Sequence, residues 1–521
     1  MISNPLLPHI NRPVSIAYAG ITALLTIVLA IFLPLQAAPF FSGGDGVRWV
    51  APLILVCGCA GVIYFLLLPQ LWRYFNSRFA MIIMAVLFLS ATLFVFVAVQ
   101  RGTSSLRALE SYTETAAIRF ALHGVLYPDP QTEPMSTIYA PFYFVLSGFL
   151  YRLLPPVFYW GKIVSIISTL LCALAVYQTT LRIQNSRTVA LGATTAFFST
   201  YAIMSQMYDW TLVDPLLMCF LAWAFMFFIR NTARSDLYTL CVMTAACFVK
   251  QSAVFPLITV SLIILFTRRP WWVFAPLISG AVTGLILLWI TNGLVYEYLV
   301  HLPSHFSFLK IPQSDCTFRL FVLQLPLWIA AFVGWRSWMS VRIIAFVAIC
   351  LGISLLGISA PGGLINSLFP IEPLLCIVAG AGLWKFKPLL VVQLLIGFYN
   401  PFTTLYPYST LRQEDRQIVA AVKAAPGPVW LPSKGYLELQ TGKSGYDHYC
   451  ALEVWMNGDS LPLRLSRALH NHTFNCIIVS REGMLFFPNL GKQIMDPIEA
   501  DYIKDKTGPP VIYRLKSIDS L

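Results

Sequence analysis

Charged residues are scarce in this sequence. They make up 11% of its 521 residues, whereas 58% of the residues are hydrophobic. A typical soluble domain contains about 25% charged residues, so a soluble globule of this length would lack the polar surface that it needs. The same composition excludes a disordered chain, a collagen-like fibre and a coiled coil. What remains is a protein that uses the lipid bilayer as its solvent along most of its length.

Nucleotide-binding motifs are absent as well. The sequence contains neither a G-x-x-x-x-G-K-[ST] loop nor the glycine-rich turn of a dinucleotide-binding fold. This absence argues against an ATP-driven pump and against a soluble transferase domain that uses nucleotide sugars. We also find no internal repeat and no low-complexity segment.

The 11 cysteines form no metal-binding pattern. Cys57 and Cys59 lie in an apolar run, as do most of the others, and such thiols are typically buried. Cys450 and Cys476 fall near the C-terminus, where a disulfide is open to them if that side of the membrane is oxidising. The spacing of the two cysteines does not show whether they form a disulfide.

Long apolar runs dominate the first 400 residues. The pair 236–249 and 252–267 is short, so it forms either two spans or one re-entrant hairpin, and both return the chain to the same side. We predict about 13 spans, at residues 14–36, 50–69, 79–100, 160–181, 188–205, 211–229, 236–249, 252–267, 271–291, 319–335, 341–359, 364–382 and 387–400.

Positive residues orient these spans. The net charge is +12, and much of the excess lies in short loops that all fall on one side under this count. These residues are Arg12, Arg73, Arg78, Arg182, Arg187, Arg230, Arg234, Arg268, Arg269, Arg336, Arg342, Lys385 and Lys387. By the positive-inside rule that side is cytoplasmic and contains the N-terminus. We therefore interpret the basic excess as membrane topology and predict no nucleic-acid partner.

The outer side carries the elaborate segments. Residues 138–154 are apolar, but a crossing there would invert every later positive loop, so we predict an amphipathic helix at the outer membrane surface. In residues 401–521 charged residues return and apolar runs shorten to strand length, at 428–431 and 476–479. Helical patterns at 411–425 and 461–471 complete the signature of a small soluble α/β domain.

The predicted fold is therefore an α-helical polytopic membrane protein with a small C-terminal α/β domain. We divide the chain into an N-terminal two-span segment (1–78), a transmembrane core (79–400) with outer loop 101–159, and the soluble domain (401–521).

Two carboxylates of the outer loop are candidates for chemistry. Glu110 and Glu114 are four residues apart and share a helix face, and Arg107 precedes Glu110 by three residues. A carboxylate at this depth is placed to deprotonate a hydroxyl presented near the membrane. The alternative is a solvated helix with ordinary Glu–Arg pairs, and the spacing leaves both interpretations open.

Other polar residues stand at the outer ends of spans. Lys250 and Gln251 lie in the outer turn between the runs 236–249 and 252–267. The lysine there either binds a lipid phosphate or extends its ammonium to water. Asp209 is a candidate ligand for substrate or a cation, whereas Asp214 precedes Pro215 and is equally suited to begin a helix.

Two later segments carry further polar residues. His301 lies four residues before a second histidine, but an intervening proline argues against a zinc pair and favours substrate contact. Asn366 and Glu372 are polar groups in an apolar segment, so they face either a cavity or a partner helix.

The order of these motifs resembles the GT-C superfamily of membrane glycosyltransferases, especially bacterial proteins related to the protein O-mannosyltransferases and the lipid A aminoarabinose transferases. The resemblance covers roughly residues 79–400. In chain order, the matching residues are Glu110, Tyr112, Ala116, Ala117, Gly124, Tyr127, the triplet Tyr139-Ala140-Pro141, Asp214, the pair Lys250-Gln251, the pair Gly362-Gly363, Asn366 and Glu372. Where the family often has an aspartate or an acidic pair, this chain has Glu110 alone, which leaves the choice between Glu110 and Glu114 open.

The resemblance implies an inverting transferase that takes a sugar from a polyprenyl-phosphate donor. The acidic residue of the first outer loop, Glu110 or Glu114, would be the general base, and Lys250 and Gln251, assisted by Arg107 or Arg119, would hold the donor phosphate. We assign substrate binding to Tyr112, Tyr127, Tyr139, Asp214, His301, Asn366 and Glu372. Some members use a divalent cation (Mg or Mn) and others use none, and Asp209 is the candidate ligand.

The resemblance also implies a location and leaves the acceptor open. The protein would lie in a bacterial inner membrane with its active site and C-terminal domain in the periplasm. A glycan such as lipopolysaccharide, another lipid or a protein would accept the sugar. Two alternatives are a flippase or other transporter of lipid-linked saccharides and a polysaccharide polymerase or ligase. A transporter should show repeated halves with broken helices, which this sequence lacks.

Overall fold

The computed structural model describes residues 78–102, 106–135, 137–154, 159–267, 269–304, 314–360, 363–398, 407–443, 445–456, 461–481, 483, 492–506 and 510–516. The chain forms two compact units, Met1–Thr103 and Ser104–Leu521. The predicted spans 14–36 and 50–69, with Cys57 and Cys59, lie outside the described residues.

The described part is mainly helical. Helices longer than five residues are α1 (Arg78–Gly102), α2 (Ala108–His123), α3 (Phe142–Leu153), α4 (Trp160–Gln184), α5 (Arg187–Ile203), α6 (Asp214–Phe228), α7 (Ala233–Cys247), α8 (Val254–Phe266), α9 (Ala275–Ile290), α10 (Leu325–Val333), α11 (Val341–Ser359), α12 (Glu372–Lys385), α13 (Lys387–Phe398), α14 (Pro407–Ala424), α15 (Gly435–Gln440), α16 (Tyr449–Met456), α17 (Leu463–His470) and α18 (Lys492–Asp501). Helices α1 and α4 to α13 overlap the predicted spans from 79–100 onward.

Four of the described helices are long and apolar enough to cross a membrane: Met81–Val99, Trp160–Gln184, Trp271–Ile290 and Val341–Ser359. The pair Asp315–Leu323 and Leu325–Val333, bent by 44°, makes a fifth if it is one span. Shorter apolar helices such as α6 and α8 account for other predicted spans. The chain is therefore a membrane protein, and the count of about 13 spans stays a prediction.

Helix α3 occupies the segment predicted to lie along the membrane surface. Its 12 residues extend about 18 Å at 1.5 Å per residue, which is too short for a hydrocarbon core of about 30 Å. Phe142, Val145 and Phe149 are exposed along one side, whereas Tyr143 and Phe144 are fully buried on the other. This two-sided pattern fits the predicted amphipathic helix, whose place at the membrane surface stays a prediction.

Helix α3 packs closely on α2. A Cβ atom at Gly148 would lie 2.9 Å from the Ala117 carbonyl oxygen and 2.7 Å from the Phe120 ring. Only glycine allows the two backbones to approach this closely. Helix α2 ends at Gly124, whose φ of 73° suits a left-handed C-cap. The outer loop is thus a packed helical pair rather than an open connection.

The C-terminal domain contains a four-stranded sheet of order β1-β2-β4-β3. The strands are β1 (Val429–Trp430), β2 (Cys476–Val479), β3 (Tyr502–Lys506) and β4 (Val511–Leu515). Strand β1 pairs parallel with β2, whereas β4 pairs antiparallel with both β2 and β3. Strand β2 matches the predicted strand at 476–479, and β1 covers two residues of the predicted strand at 428–431. A small sheet at the C-terminus is thus confirmed, and the division of the chain at residue 401 stays a prediction. No disulfide joins Cys450 and Cys476 in the structure, so the pairing left open by the sequence is not formed.

Candidate active site

Glu110 lies in the first turn of α2 and is fully buried. Its Oε2 atom accepts the Arg107 backbone N–H at 3.2 Å. Its Oε1 atom lies 2.8 Å from Nζ of Lys162, which is also fully buried, at the start of α4. The carboxylate is therefore held between the N-terminus of its own helix and a lysine of a membrane-spanning helix.

This environment decides the charge of Glu110. Burial alone would raise its pKa, because a carboxylate loses its hydration there, but the Lys162 ammonium and the Arg107 N–H lower the pKa below its ordinary value. Glu110 is thus ionised and paired at neutral pH.

Glu114 lies one turn further along the same face and has a different environment. The Tyr151 hydroxyl of α3 donates a hydrogen bond to its Oε1 atom. Its Oε2 atom faces Gly161, where a Cβ atom would lie only 2.5 Å away. Burial raises the pKa of Glu114 to about 7, although Tyr151 and the more distant Lys162 oppose the rise. The two carboxylates therefore have separated proton affinities, which is the usual sign of different chemical roles.

A short segment before α6 connects these carboxylates with the second part of the site. The Thr211 hydroxyl donates to the Glu110 carbonyl oxygen at 2.9 Å. The Arg107 guanidinium lies 4.9 Å from the centre of the Trp210 ring, a cation–π contact. Three residues after Thr211, the chain reaches Asp214 at the start of α6.

Asp214, Lys250 and Asn366 meet in one cluster. Oδ1 of Asp214 lies 2.7 Å from Nζ of Lys250, and its Oδ2 accepts the Asn366 side-chain amide at 2.8 Å. Asp214 is 2% exposed, whereas 18% of the Lys250 side chain is exposed. The ammonium also lies 5.5 Å from the Tyr139 ring centre. The lysine is thus held in place and still reaches the surface.

Three hydrogen bonds hold the backbone of Ile138 and Tyr139 beside this cluster. The Tyr127 hydroxyl donates to the Tyr139 carbonyl oxygen at 2.8 Å. The Ile138 N–H donates to the Tyr112 hydroxyl at 3.0 Å, and the Gln251 amide donates to the Ile138 carbonyl oxygen at 3.1 Å. These contacts bring Tyr112, Tyr127 and Gln251 into the same region as Lys250, where they support the backbone.

Tyr112 and Glu110 point to different sides of α2. Two residues correspond to a rotation of about 200° around a helix axis. Tyr112 accordingly lies against the Tyr139 ring, at a centroid distance of 6.5 Å, whereas Glu110 faces Lys162. Tyr112 is therefore the α2 side chain that contacts Tyr139, and Glu110 is the one that contacts α4.

The other predicted site residues have partners of their own. The Arg119 guanidinium donates to the carbonyl oxygens of Met135 at 3.0 Å and Tyr446 at 2.7 Å, so it joins the outer loop to the C-terminal domain. His301 is exposed and pairs with Glu297 at 2.8 Å. Glu372 is buried at the start of α12 and accepts the Gln324 amide at 2.7 Å.

Asp209, the predicted cation ligand, is fully buried, and cation binding there stays a prediction. Its carboxylate accepts the Tyr201 hydroxyl at 2.8 Å. Among the described residues, no group of three or more His, Cys, Asp or Glu side chains is arranged to hold a metal ion. We therefore derive no step through a metal.

Sequence reasoning missed Lys162 and Tyr151, the partners of the two carboxylates. Lys162 is the third residue of the predicted span 160–181. An ammonium there is unfavourable without a partner, so its position could have indicated a buried ion pair. Tyr151 lies within the predicted amphipathic helix and carries no such signal.

No protein-family model and no curated protein matches the sequence. Its structure is similar to that of ArnT from Cupriavidus metallidurans. A crystal structure of ArnT bound to undecaprenyl phosphate aligns with a TM-score of 0.58 at 12% sequence identity, covering 84% of this chain and 98% of ArnT. The apo structure aligns with a TM-score of 0.55 at 12% identity, covering 84% and 96%. The similarity shows that the described chain has an ArnT-like fold.

Proposed function

From this ArnT-like fold, we propose that the protein is an inverting membrane glycosyltransferase. It moves a sugar from a polyprenyl-phosphate donor to an envelope acceptor, which is lipopolysaccharide, another glycan or a protein. The observation that carries the proposal is the alignment over 84% of the chain with an ArnT structure that contains undecaprenyl phosphate.

The Lys250 cluster supplies the donor-phosphate site in this proposal. An ammonium has three N–H donors, and Asp214 accepts one at 2.7 Å, so a phosphate oxygen can accept another at the exposed end. Asp214 holds the ammonium before the donor arrives, and the Asn366 amide in turn holds the Asp214 carboxylate. Tyr139 offers its ring face beside the same ammonium, where a sugar or the first prenyl unit fits.

The carboxylates of α2 supply the base. The acceptor oxygen forms a bond to the anomeric carbon from the face opposite the phosphate. The bond between that carbon and the phosphate oxygen breaks, and its electron pair leaves with the polyprenyl phosphate. The acceptor proton passes to a carboxylate, which we assign to Glu110 by resemblance, with Glu114 as the competing candidate. General base catalysis of this kind contributes about 10²–10⁴-fold to a rate.

The proposal also places the reaction in the cell. The protein would span a bacterial inner membrane, with the N-terminus in the cytoplasm and the outer loop and C-terminal domain in the periplasm. The positive residues between spans support this orientation. Donor and acceptor would both reach the site from the outer leaflet.

Sugar transfer in reconstituted membranes tests the proposal. Labelled polyprenyl-phosphate sugars and an envelope extract are supplied to the wild type, Glu110→Gln and Glu114→Gln. Transfer by the wild type and its loss in one variant that is still folded would support the function and identify the base. Label that crosses the bilayer without a new product would favour a carrier, and activity only with diphosphate-linked oligosaccharides would favour a polymerase or ligase.

A further inference from the structure

Two side chains of the C-terminal domain bind the backbone of Leu106, and a third side chain joins these two. The Lys434 ammonium donates to the Leu106 carbonyl oxygen, and the Leu106 N–H donates to the Tyr436 hydroxyl at 3.3 Å. Asp415 joins the two side chains: its Oδ1 lies 3.3 Å from Nζ of Lys434, and its Oδ2 accepts the Tyr436 hydroxyl at 2.6 Å. We call Asp415, Lys434 and Tyr436 the Leu106 clamp.

The polar contacts of the Leu106 clamp go beyond what is needed to attach the C-terminal domain to the outer loop. Leu106 is fully buried and packs in one apolar cluster with Ile418 and Val422 of α14, and this contact alone would hold the domain to the loop. Lys434 is nevertheless fully buried, although a buried ammonium is unfavourable unless it is paired and hydrogen-bonded. A charged donor aimed at one carbonyl group fixes the position of a backbone, which an apolar contact does not.

The backbone of Leu106 is linked to the Glu110 carboxylate through the next residue, Arg107. Leu106 directly precedes Arg107, the N-cap of α2, and the Arg107 N–H binds Oε2 of Glu110 at 3.2 Å. The other carboxylate oxygen is held by Lys162 of α4. The Glu110 carboxylate is therefore held on one side by the spanning core and on the other by a backbone segment that the C-terminal domain positions.

We propose that Asp415, Lys434 and Tyr436 are positioning residues for Glu110, so that the C-terminal domain is a working part of the catalytic unit. The inference rests on the proposed function. It assigns this domain a role in turnover that differs from binding the acceptor. Other contacts hold the domain further along the outer loop, such as the Met135 N–H on Asp447 at 2.6 Å, so removing the clamp leaves the domain attached.

Hydrogen exchange tests the positioning without an activity assay. In the full-length protein in detergent, Tyr436→Phe keeps the ring and removes the hydroxyl, and Lys434→Met keeps most of the side-chain volume. Both should speed amide exchange in residues 106–111 about tenfold or more, because the Leu106 peptide loses its partners. Unchanged exchange there in a folded variant would overturn the inference.

The matched control is Lys443→Met. The Lys443 ammonium also donates to two backbone carbonyl groups, Ala425 at 3.1 Å and Gly427 at 2.9 Å, but both lie within the C-terminal domain. This variant should leave exchange in residues 106–111 unchanged. Equal acceleration in the control would show a general loosening of the domain and would contradict a specific clamp.

Sugar transfer separates positioning from acceptor binding. The inference expects Lys434→Met to lower kcat about tenfold or more, with the KM values for donor and acceptor within about twofold of the wild type. Added to Glu110→Gln, it should leave transfer as low as in that single variant, because its effect passes through Glu110. A raised acceptor KM with normal kcat would overturn the inference. If the wild type transfers no sugar, the proposed function fails, and the exchange experiment still decides whether the clamp positions residues 106–111.

Discussion

Nζ of Lys162 lies 2.8 Å from Oε1 of Glu110, and neither side chain has any exposed surface. The pair joins the outer loop to the first residues of a spanning helix. Each charge depends on the other, because an isolated charge in this environment would lose its hydration without compensation. Any change at Glu110 therefore affects both the proposed chemistry and the stability of the fold.

We first predict that Glu110→Gln abolishes transfer and also destabilises the protein. The glutamine keeps the shape but leaves the Lys162 ammonium buried without its counter-charge. Breaking a buried pair on one side costs about 3–5 kcal/mol. Thermal unfolding of the purified variant in detergent measures this loss, and sugar transfer by the remaining folded protein measures the activity.

The double variant Glu110→Gln with Lys162→Met separates the two effects. It removes both charges, so the melting temperature should return most of the way to that of the wild type, while transfer stays absent. Wild-type turnover in the double variant would show that Glu110 is not the base and would move the assignment to Glu114.

Our second prediction concerns pH and Glu114. Its pKa is raised to about 7 in the folded protein, above the ordinary value of 4.5. Between these values the folded state binds more protons at Glu114 than the unfolded state does. The contribution of Glu114 to stability is therefore greatest at low pH and is lost as the pH rises through about 7. At about 1.4 kcal/mol per pKa unit, Glu114 accounts for a change of about 3 kcal/mol.

Thermal unfolding at about pH 4.5 and about pH 7.5 measures this dependence. Glu438 in the C-terminal domain contributes in the same direction, because burial raises its pKa to about 8. The informative quantity is therefore the difference between the wild type and Glu114→Gln. We expect a flatter profile for the variant, and parallel profiles would show that Glu114 is ionised in the folded protein.

The sequence predicts the parts of this site better than their arrangement. Hydropathy and motif order place Lys250, Asp214 and Asn366 at the outer ends of spans, and the structure brings these three together. The pairing of Glu110 with Lys162 requires knowing which helix packs on α2, and spacing along the chain carries no such information. Arg119 illustrates the same limit, because its partner Tyr446 lies 327 residues further along the chain.

The hydrophobic pattern predicts the short strands of the C-terminal domain more accurately than it predicts the ends of the helices. Strand β2 coincides with its predicted apolar run at 476–479, and β1 lies within the run at 428–431, because a short apolar run bounded by turns is enough to indicate a buried strand. The membrane-embedded helices are harder to delimit. Helix α12 begins at Glu372, eight residues inside the predicted span 364–382, because a short helical turn at Ile365–Leu368 precedes it.

Our third prediction is that Lys250→Ala raises the KM for the polyprenyl-phosphate donor about tenfold or more and lowers kcat less. The ammonium is the partly exposed cation of its cluster, and its removal takes away a charge-assisted hydrogen bond to the phosphate. Steady-state transfer at varied donor concentration measures the change. Arg514→Ala is the charge control, because Arg514 forms an exposed pair with Asp505 in the C-terminal sheet. A similar effect in the control would indicate general electrostatic attraction.

Our last prediction uses a glycine beside the carboxylates. In Gly161→Ala the new Cβ atom would lie 2.5 Å from Oε2 of Glu114 and 2.7 Å from the Tyr143 hydroxyl oxygen. Overpacking of this kind costs about 1–3 kcal/mol, and relieving it requires Glu114 to move. We therefore expect a lower melting temperature and a reduced kcat for transfer.

The control is Gly352→Ala in α11, where a Cβ atom would meet nothing within 4 Å. Both substitutions add one methyl group to a helix, so a shared effect would reflect helix propensity. A loss confined to Gly161→Ala would instead identify the contact with Glu114 and Tyr143 as the cause. If both variants retained wild-type stability and turnover, Glu114 would have room to move, and its close packing against α4 would have no part in the reaction.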